Sequence, residues 1–264
     1  MNLYETQMLA IHTTFTSQTG QRKRNEDTCG YWTSDKGCCW IVSDGAGGHG
    51  SGDVASHLVV DTALEQFAAK PEVSEQAVTD LTTGAQAAVM THKHNDPDGD
   101  DMHATASILL IDAETREAVW AHVGDTRLYL FRQRKIVLQT ADHSLVQQLI
   151  DAGYGNTDII RTHPQRNMLT SAIGSGDELT ISVSGAPIFV QEGDLFLICS
   201  DGWWEYVEEP VMEEMLEDAS TVEEWLNIMA RRVEESAKEN ADNSTAVAVL
   251  VGELEEVTTV IRDN

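Results

Sequence analysis

Cys38-Cys-Trp-Ile-Val-Ser-Asp-Gly-Ala-Gly-Gly-His-Gly-Ser51 is the stretch from which the fold can be read. Residues 39–43 form a short apolar, β-prone run that ends on a carboxylate, Asp44. Beyond Ser51, residues Val54, Leu58, Val59, Ala63 and Phe67 recur at close to helical spacing. A strand, a loop of small residues and a helix therefore follow one another. A strand end can hold a carboxylate rigidly while its oxygens face outward. Gly45 leaves its own carbonyl accessible, and Ala46, Gly47 and Gly48 allow ions or phosphate to approach closely. The start of the following helix adds a positive end to the same mouth.

Strand-like runs recur on both sides of this stretch, at residues 8–16, 28–33, 104–112, 118–123, 127–132, 135–139, 179–184, 195–200 and 245–251. Asp112-Ala-Glu-Thr-Arg116 and Gln133-Arg134 have the character of hairpin connections, which makes the sheet largely antiparallel. Helical patterns come in two pairs. The helix after Ser51 precedes one over residues 74–92, and a short one at 211–217 precedes a stripe of Val222, Trp225, Leu226, Met229 and Val233. This Trp/Met stripe is read as core packing. The order of elements predicts an α+β layered fold. No Pro/Gly/Ser linker divides the chain, so residues 1–264 are expected to form a single domain. Residues 95–103 carry four aspartates, but Asp101 and Ser107 stand where a calcium-binding EF-hand needs Gly and Glu, so a solvated turn is expected. Residues 153–176 form a long connection of the kind that usually carries function.

The formal charge is −27, from 17 basic and 44 acidic residues. Such a surface repels nucleic acid and anionic lipid, so neither is expected as a partner. It also repels phosphorylated substrates unless cations neutralise the site. Most of the acidity, notably over residues 207–217 and 221–239, is a solvated face. The four cysteines, at positions 29, 38, 39 and 199, form no C-x-x-C pair, and no apolar run approaches the ~18 residues of a membrane span. With no signal-peptide pattern at the N-terminus, a reducing cytoplasmic location is expected.

Several phosphoryl-transfer chemistries are excluded by the sequence. No cysteine is followed six residues later by arginine, Asp98-Gly-Asp-Asp-Met102 lacks the threonine of an aspartyl-phosphate motif, and no phosphate-binding P-loop or nucleophile elbow occurs. Carboxylate chemistry remains. Glu26, Asp27, Asp44, Asp125, Asp201 and Asp242 each sit in a short turn-like context, five of them at or near a strand end. Mg²⁺ and Mn²⁺ prefer such oxygen donors over thiolates. Two such ions ~3.5–4 Å apart can share a water, lower its pKa and aim it in line at phosphorus. Asp44 is the best candidate to lie between them.

In order along the chain, Arg22-Lys-Arg-Asn-Glu-Asp27, Val42-Ser-Asp-Gly-Ala-Gly-Gly-His49, Val123-Gly-Asp-Thr-Arg-Leu-Tyr129, Asp142-His-Ser-Leu145, Arg166-Asn-Met-Leu-Thr-Ser-Ala-Ile-Gly174, Ser200-Asp-Gly202 and Asp242-Asn-Ser-Thr245 resemble the metal-dependent Ser/Thr protein phosphatases of the PP2C type, in their compact bacterial form. The resemblance implies a four-layer fold, a central antiparallel β-sandwich flanked by pairs of α-helices. It implies that Asp44 bridges two Mn²⁺ or Mg²⁺ ions and that the Gly45 carbonyl ligates one of them. Asp201 and Asp242 would hold one ion, Glu26 and Asp27 would serve the other, and Asp125 with Asp201 would take a third, weaker ion. Arg22 would clamp the phosphate, since guanidinium binds two of its oxygens at once. Residues 153–176 would be the flap beside the active site.

One departure concerns the proton for the leaving oxygen. Some members of that family place histidine directly after the metal-binding Asp-Gly, where this chain has Ala46. His49 is one candidate acid and a metal-bound water is the other. Trp203-Trp204 is read as packing rather than substrate stacking. The resemblance implies hydrolysis of phosphoserine and phosphothreonine by direct attack of the bridging water, phosphoprotein substrates and an opposing Ser/Thr kinase. The protein is expected to be monomeric. The rival readings are a non-catalytic phosphoprotein-binding scaffold and a phosphatase of small phosphoesters or nucleotides.

Overall fold

The computed structural model describes residues 9–47, 51–96, 101–176, 178–236 and 241–254. Strand β3 (Gly37–Ala46), which carries Asp44, is buried along almost its whole length because both of its faces are covered. It pairs on one side with β2 (Asp27–Thr33). On the other it pairs with β5 (Ala106–Asp112) and, at its far end, with β4 (His103–Ala104). Adding β6 (Glu117–Val123) and β10 (Ile188–Phe189) completes one sheet path, β10-β6-β5-β3-β2, with β9 (Ser182–Val183) also on β6. The second sheet runs β1-β12-β11-β7-β8, built from Ile11–Gln18, Ser244–Val251, Leu195–Cys199, Arg127–Arg132 and Lys135–Gln139 respectively. Every pairing is antiparallel.

Alternation along the strands sorts side chains between three cores, because successive residues point to opposite faces. On β5, Leu109 and Ile111 join Trp40, Leu130, Phe196, Ile198 and Val249 between the two sheets. Their neighbours Ile108 and Leu110 face outward with Cys39 and Ile41 against helices. Those helices are α1 (Ser51–Ala69) and α2 (Glu75–Asn95), which present Val59, Ala63, Phe67, Val78, Ala85 and Val89. After the short α3 (Leu145–Asp151), the helices α4 (Asp201–Trp204), α5 (Glu209–Asp218) and α6 (Val222–Ser236) cover the far side of the second sheet with Trp203, Met212, Trp225 and Met229. The Trp/Met stripe is core, and the layers are helix, sheet, sheet, helix as expected. Each fully buried large side chain of this kind contributes about 1.5–3 kcal/mol.

The differences from the expected elements have local causes. The run 104–112 breaks at Thr105, whose backbone and hydroxyl both turn to Asp44. The run 179–184 shortens to β9, and β10 is an additional two-residue strand too short to show periodicity. The first strand lies at Ile11–Gln18 rather than 8–16, in register with β12 through eight pairs. Asp201-Gly202 is not a plain turn but the first turn of α4, with Ser200 at its N-cap. The Gln133-Arg134 hairpin puts both residues in the left-handed region, φ 51° and 62°, the primed geometry that matches sheet twist.

Leu109 is fully buried between the sheets. Leu109→Ala should lower unfolding free energy by about 2–5 kcal/mol, measured by urea denaturation with the m-value unchanged.

Candidate metal centre

The site lies at one end of both sheets, where two close backbone crossings meet the start of β2 and the end of β6. At the first crossing, the opening turn of α1 rests directly on the end of β3. A Cβ on Gly45 would lie 1.9 Å from the Gly52 carbonyl oxygen, so nothing larger than glycine fits at this approach. At the second, a Cβ on Gly202 would lie 1.9 Å from the Asn243 carbonyl oxygen. Asp44 and Asp242 are thereby each held beside a neighbouring backbone that cannot move away. Asp125 follows β6 after Gly124, whose φ of 93° turns the chain into the site. Glu26 immediately precedes β2.

These elements surround a cleft of about 650 Å³. Arg22, Glu26, Asp44, Gly45, Asp125, Asp201 and Asp242 all line it, so seven of the expected site residues meet in one place. Asp27 stands behind them. It is directly opposite Asp44 in the β2–β3 register, and its Oδ2 accepts a hydrogen bond from Ser200 Oγ at 2.7 Å. His49 lies outside the described residues. The residues 153–176 segment contributes Asn167, Leu169, Thr170 and Ser171 to the cleft wall. It is tied down by Arg161, whose Nη2 donates to both Glu209 carboxylate oxygens at 2.9 Å, and by Arg166, 2.7 Å from Glu205.

Four further residues position the site: Asn243, Ser200 and Trp204 lie within or beside the quoted motifs, Trp204 having been expected only to pack, while Thr105 lies in the run 104–112, outside any of those motifs. Asn243 accepts from the Glu26 backbone N–H at 2.8 Å and donates to the Thr19 and Arg24 carbonyls, which joins the Arg22–Glu26 loop to Asp242. Thr105 accepts from the Asp44 N–H at 2.9 Å and contacts Thr126 Oγ1 at 2.6 Å. Ser200 links Asp27 to the Thr245 backbone. Trp204 Nε1 donates to the Asp125 carbonyl at 2.9 Å, and Arg127 stacks 3.5 Å over the same ring. Arg127 is buried and bidentate to Asp142 at 2.8 and 2.7 Å. Both Trp203 and Trp204 are buried, so neither offers a face to substrate.

The electrostatics of the cleft favour a cation. Burial, reinforced by the charges of Asp27, Asp201, Asp125 and Asp242, pushes the Asp44 carboxyl well above its ordinary range. Burial followed by the charge of Asp125 does the same to Asp201. Asp125 is pushed up to about 7 by burial and then by Asp142, and Asp27 to about 6 by burial. The buried oxygens Asp27 Oδ1 and Asp201 Oδ1 have no hydrogen-bond partner. Unpaired buried carboxylate oxygens are costly and call for protons or a metal. The donors are all oxygen, which suits Mg²⁺ or Mn²⁺ rather than a thiophilic ion. The carboxylates ring the cleft without closing on a point. Among the described residues, no three acidic, His or Cys side chains stand at ion-holding geometry. Like charges spread apart, and Asp242 Oδ2 is taken up by Arg22 Nη2 at 2.6 Å.

Because the folded-state values of Asp27 and Asp125 are raised, their contribution to stability is present below pH ~4 and is lost as pH rises through about 6 and about 7. The thermal midpoint measured in chelator should therefore fall over that window. Mn²⁺ binding, which displaces those protons, should raise the midpoint more at pH 8 than at pH 5.5.

Residues 16–248 match the family described as Protein phosphatase 2C. The serine/threonine phosphatase stp of Listeria innocua is 31% identical over 248 residues, which cover 90% of this chain and 95% of that protein. Among solved structures, the serine/threonine phosphatase Stp1 from Staphylococcus aureus superposes with a TM-score of 0.81 at 26% identity, covering 92% of this chain and 95% of that one. The catalytic domain of the serine/threonine protein phosphatase PstP, solved in complex with two manganese ions, superposes with a TM-score of 0.78 at 24% identity, covering 94% and 100%. Since that family match takes in all but the outer ends of β1 and β12 and every carboxylate of the cleft, this chain belongs to the protein phosphatase 2C family.

Proposed function

We propose that this phosphatase removes phosphate from phosphoserine and phosphothreonine in proteins, working as a single domain with two divalent ions, Mn²⁺ or Mg²⁺, and a third, weaker one. The observation that carries the reading is the convergence of Glu26, Asp44, Asp125, Asp201 and Asp242 with Arg22 on one cleft. The donor set and the unpartnered oxygens of Asp27 and Asp201 support a metal there. Asp44 and the Gly45 carbonyl would bind between Asp201 and Asp242 on one side and Glu26 and Asp27 on the other, with Asp125 and Asp201 taking the weaker ion. Bound there, the ions would neutralise phosphate charge and lower the pKa of water for in-line attack.

The chain's own groups supply the rest. Arg22 stands at the cleft with a guanidinium that matches two phosphate oxygens, and its ion pair with Asp242 keeps it in place until an anion competes for it. The pair is partly exposed and worth little as a brace, so exchanging partners costs little. Asn243 and Thr105 hold Glu26 and Asp44 by their backbones, which leaves the carboxylates free. The wall of Asn167, Thr170 and Ser171 is polar and suits a peptide backbone. Among the described residues that line the cleft, no Phe, Tyr or Trp offers a face to a nucleobase and the one ring is the His103 imidazole, which disfavours a nucleotide substrate.

The substrates would be phosphoproteins, with a Ser/Thr kinase supplying the opposing activity. No helix among the described residues is long and apolar enough to cross a membrane, and all four thiols are free. Both facts support a reducing cytoplasmic setting, and a monomer is expected there.

Asp201→Asn should lower Mn²⁺-dependent phosphate release from a phosphothreonine peptide by about 100-fold or more, with weaker Mn²⁺ binding by calorimetry. Unchanged turnover would sink the assignment. Faster wild-type turnover of mononucleotides than of the peptide would favour the small-phosphoester reading, and Mn²⁺ binding without any turnover would favour a scaffold.

A further inference from the structure

Cleavage of a serine or threonine phosphoester leaves an alkoxide, which departs poorly unless a proton reaches it. The cleft offers few donors. Its carboxylates are needed ionised to hold cations, Arg22 keeps its proton at any working pH, and the hydroxyls and amides of the wall are not acids. His103 is the one histidine among the described residues that line the cleft. We infer that His103 is a catalytic residue, the general acid that protonates the leaving serine or threonine oxygen. The inference rests on the phosphoester reading above.

Its placement supports that role. His103 lies on β4, directly opposite Ala46 in the β3–β4 register, while Ala104 pairs with Gly45. The imidazole therefore rises from the strand that flanks Asp44-Gly45, across from a methyl side chain that leaves room for it. Nδ1 lies 2.7 Å from the Asp101 carbonyl, an acceptor, so Nδ1 carries a proton and Nε2 is the nitrogen that exchanges one. The Asp101 carbonyl is itself set against the glycine loop, 2.9 Å from where a Gly47 Cβ would stand. The ring is thus oriented from its far side by backbone that also shapes the metal centre. Nε2 has no hydrogen-bond partner among the described residues.

In the reaction, water attacks phosphorus and the bond from phosphorus to the serine or threonine oxygen breaks, its electron pair remaining on that oxygen. The proton on His103 Nε2 passes to the oxygen and the alcohol leaves. The attacking oxygen keeps one hydrogen as hydrogen phosphate. Its other proton goes to solvent, and neutral His103 regains one from solvent, so charge and atoms balance.

Leaving-group dependence tests this directly. p-Nitrophenolate departs without a proton, whereas threonine does not. For His103→Gln, the rate on a phosphothreonine peptide relative to p-nitrophenyl phosphate should fall about 100-fold, with Mn²⁺ affinity by calorimetry unchanged. An unchanged ratio overturns the inference, as does a matching loss of Mn²⁺ affinity, which would make His103 a support of the metal centre. A fall in the ratio for His49→Gln but not for His103→Gln overturns it in favour of His49. Should His103→Gln fail to fold, His103→Asn carries the same comparison. If wild-type protein ignores the peptide, the phosphoprotein reading fails on its own. Glycerol phosphate, another alkyl ester, then replaces the peptide, and the same ratio decides the role of His103.

Discussion

Repulsion among carboxylates buried at one end of two sheets is the constraint on which the rest of this structure depends. Asp27 and Asp44 are cross-strand partners, an arrangement that is unfavourable for two like charges. Asp125, Asp201 and Asp242 add to the same field around Asp44. Such a cluster survives only if the scaffold is stable without it. The three apolar cores provide that stability, and the between-sheet core reaches along the same strands that end in the acids. The site therefore stores unfavourable electrostatics that a bound divalent cation would relieve, and affinity for such a cation would be the counterpart of that stored cost.

Geometry is protected by a different device from stability. At Gly45 and Gly202, backbone meets backbone at distances that exclude a Cβ. The carboxylates next to these contacts gain fixed origins without needing side-chain hydrogen bonds of their own. Asn243, Thr105, Ser200 and Trp204 act on backbone or on an outer oxygen, so they position the acids and do not neutralise them. The buried Arg127–Asp142 pair stands one layer behind, and its stacking on Trp204 couples the turn after β6 to α4. Arginine is used where a planar, bidentate contact is needed inside the protein, while Arg22 at the cleft keeps an exchangeable partner.

Much of this was legible in the chain. The long apolar runs became strands because burial on both faces selects continuous β-branched and aromatic stretches, as in residues 39–43 and 245–251. The heptad-like spacing of Val222, Trp225, Leu226, Met229 and Val233 marked a buried helix face. Less legible were elements of two to four residues. β4, β9, β10 and α4 carry no period, and they form because neighbouring strands and Ser200 satisfy their backbone groups. The break at Thr105 was hidden for a similar reason: threonine is a good strand residue, and only its partner Asp44 turns it aside.

For the site, the sequence by itself determined the chemistry. Six acids in short turn contexts, with glycine beside several, make an oxygen-only donor set of the kind that hard divalent cations prefer. This follows from composition and local conformation, which travel with the chain. Only the tertiary structure decided which of those acids share a cleft, that Asp27 stands behind it, and that Arg22 rests on Asp242. It also decided that His103, unremarkable in the sequence, faces Ala46 across a strand pair. Those relations are distances between residues as many as 220 positions apart. They are set by sheet register and close backbone packing, which no local pattern encodes.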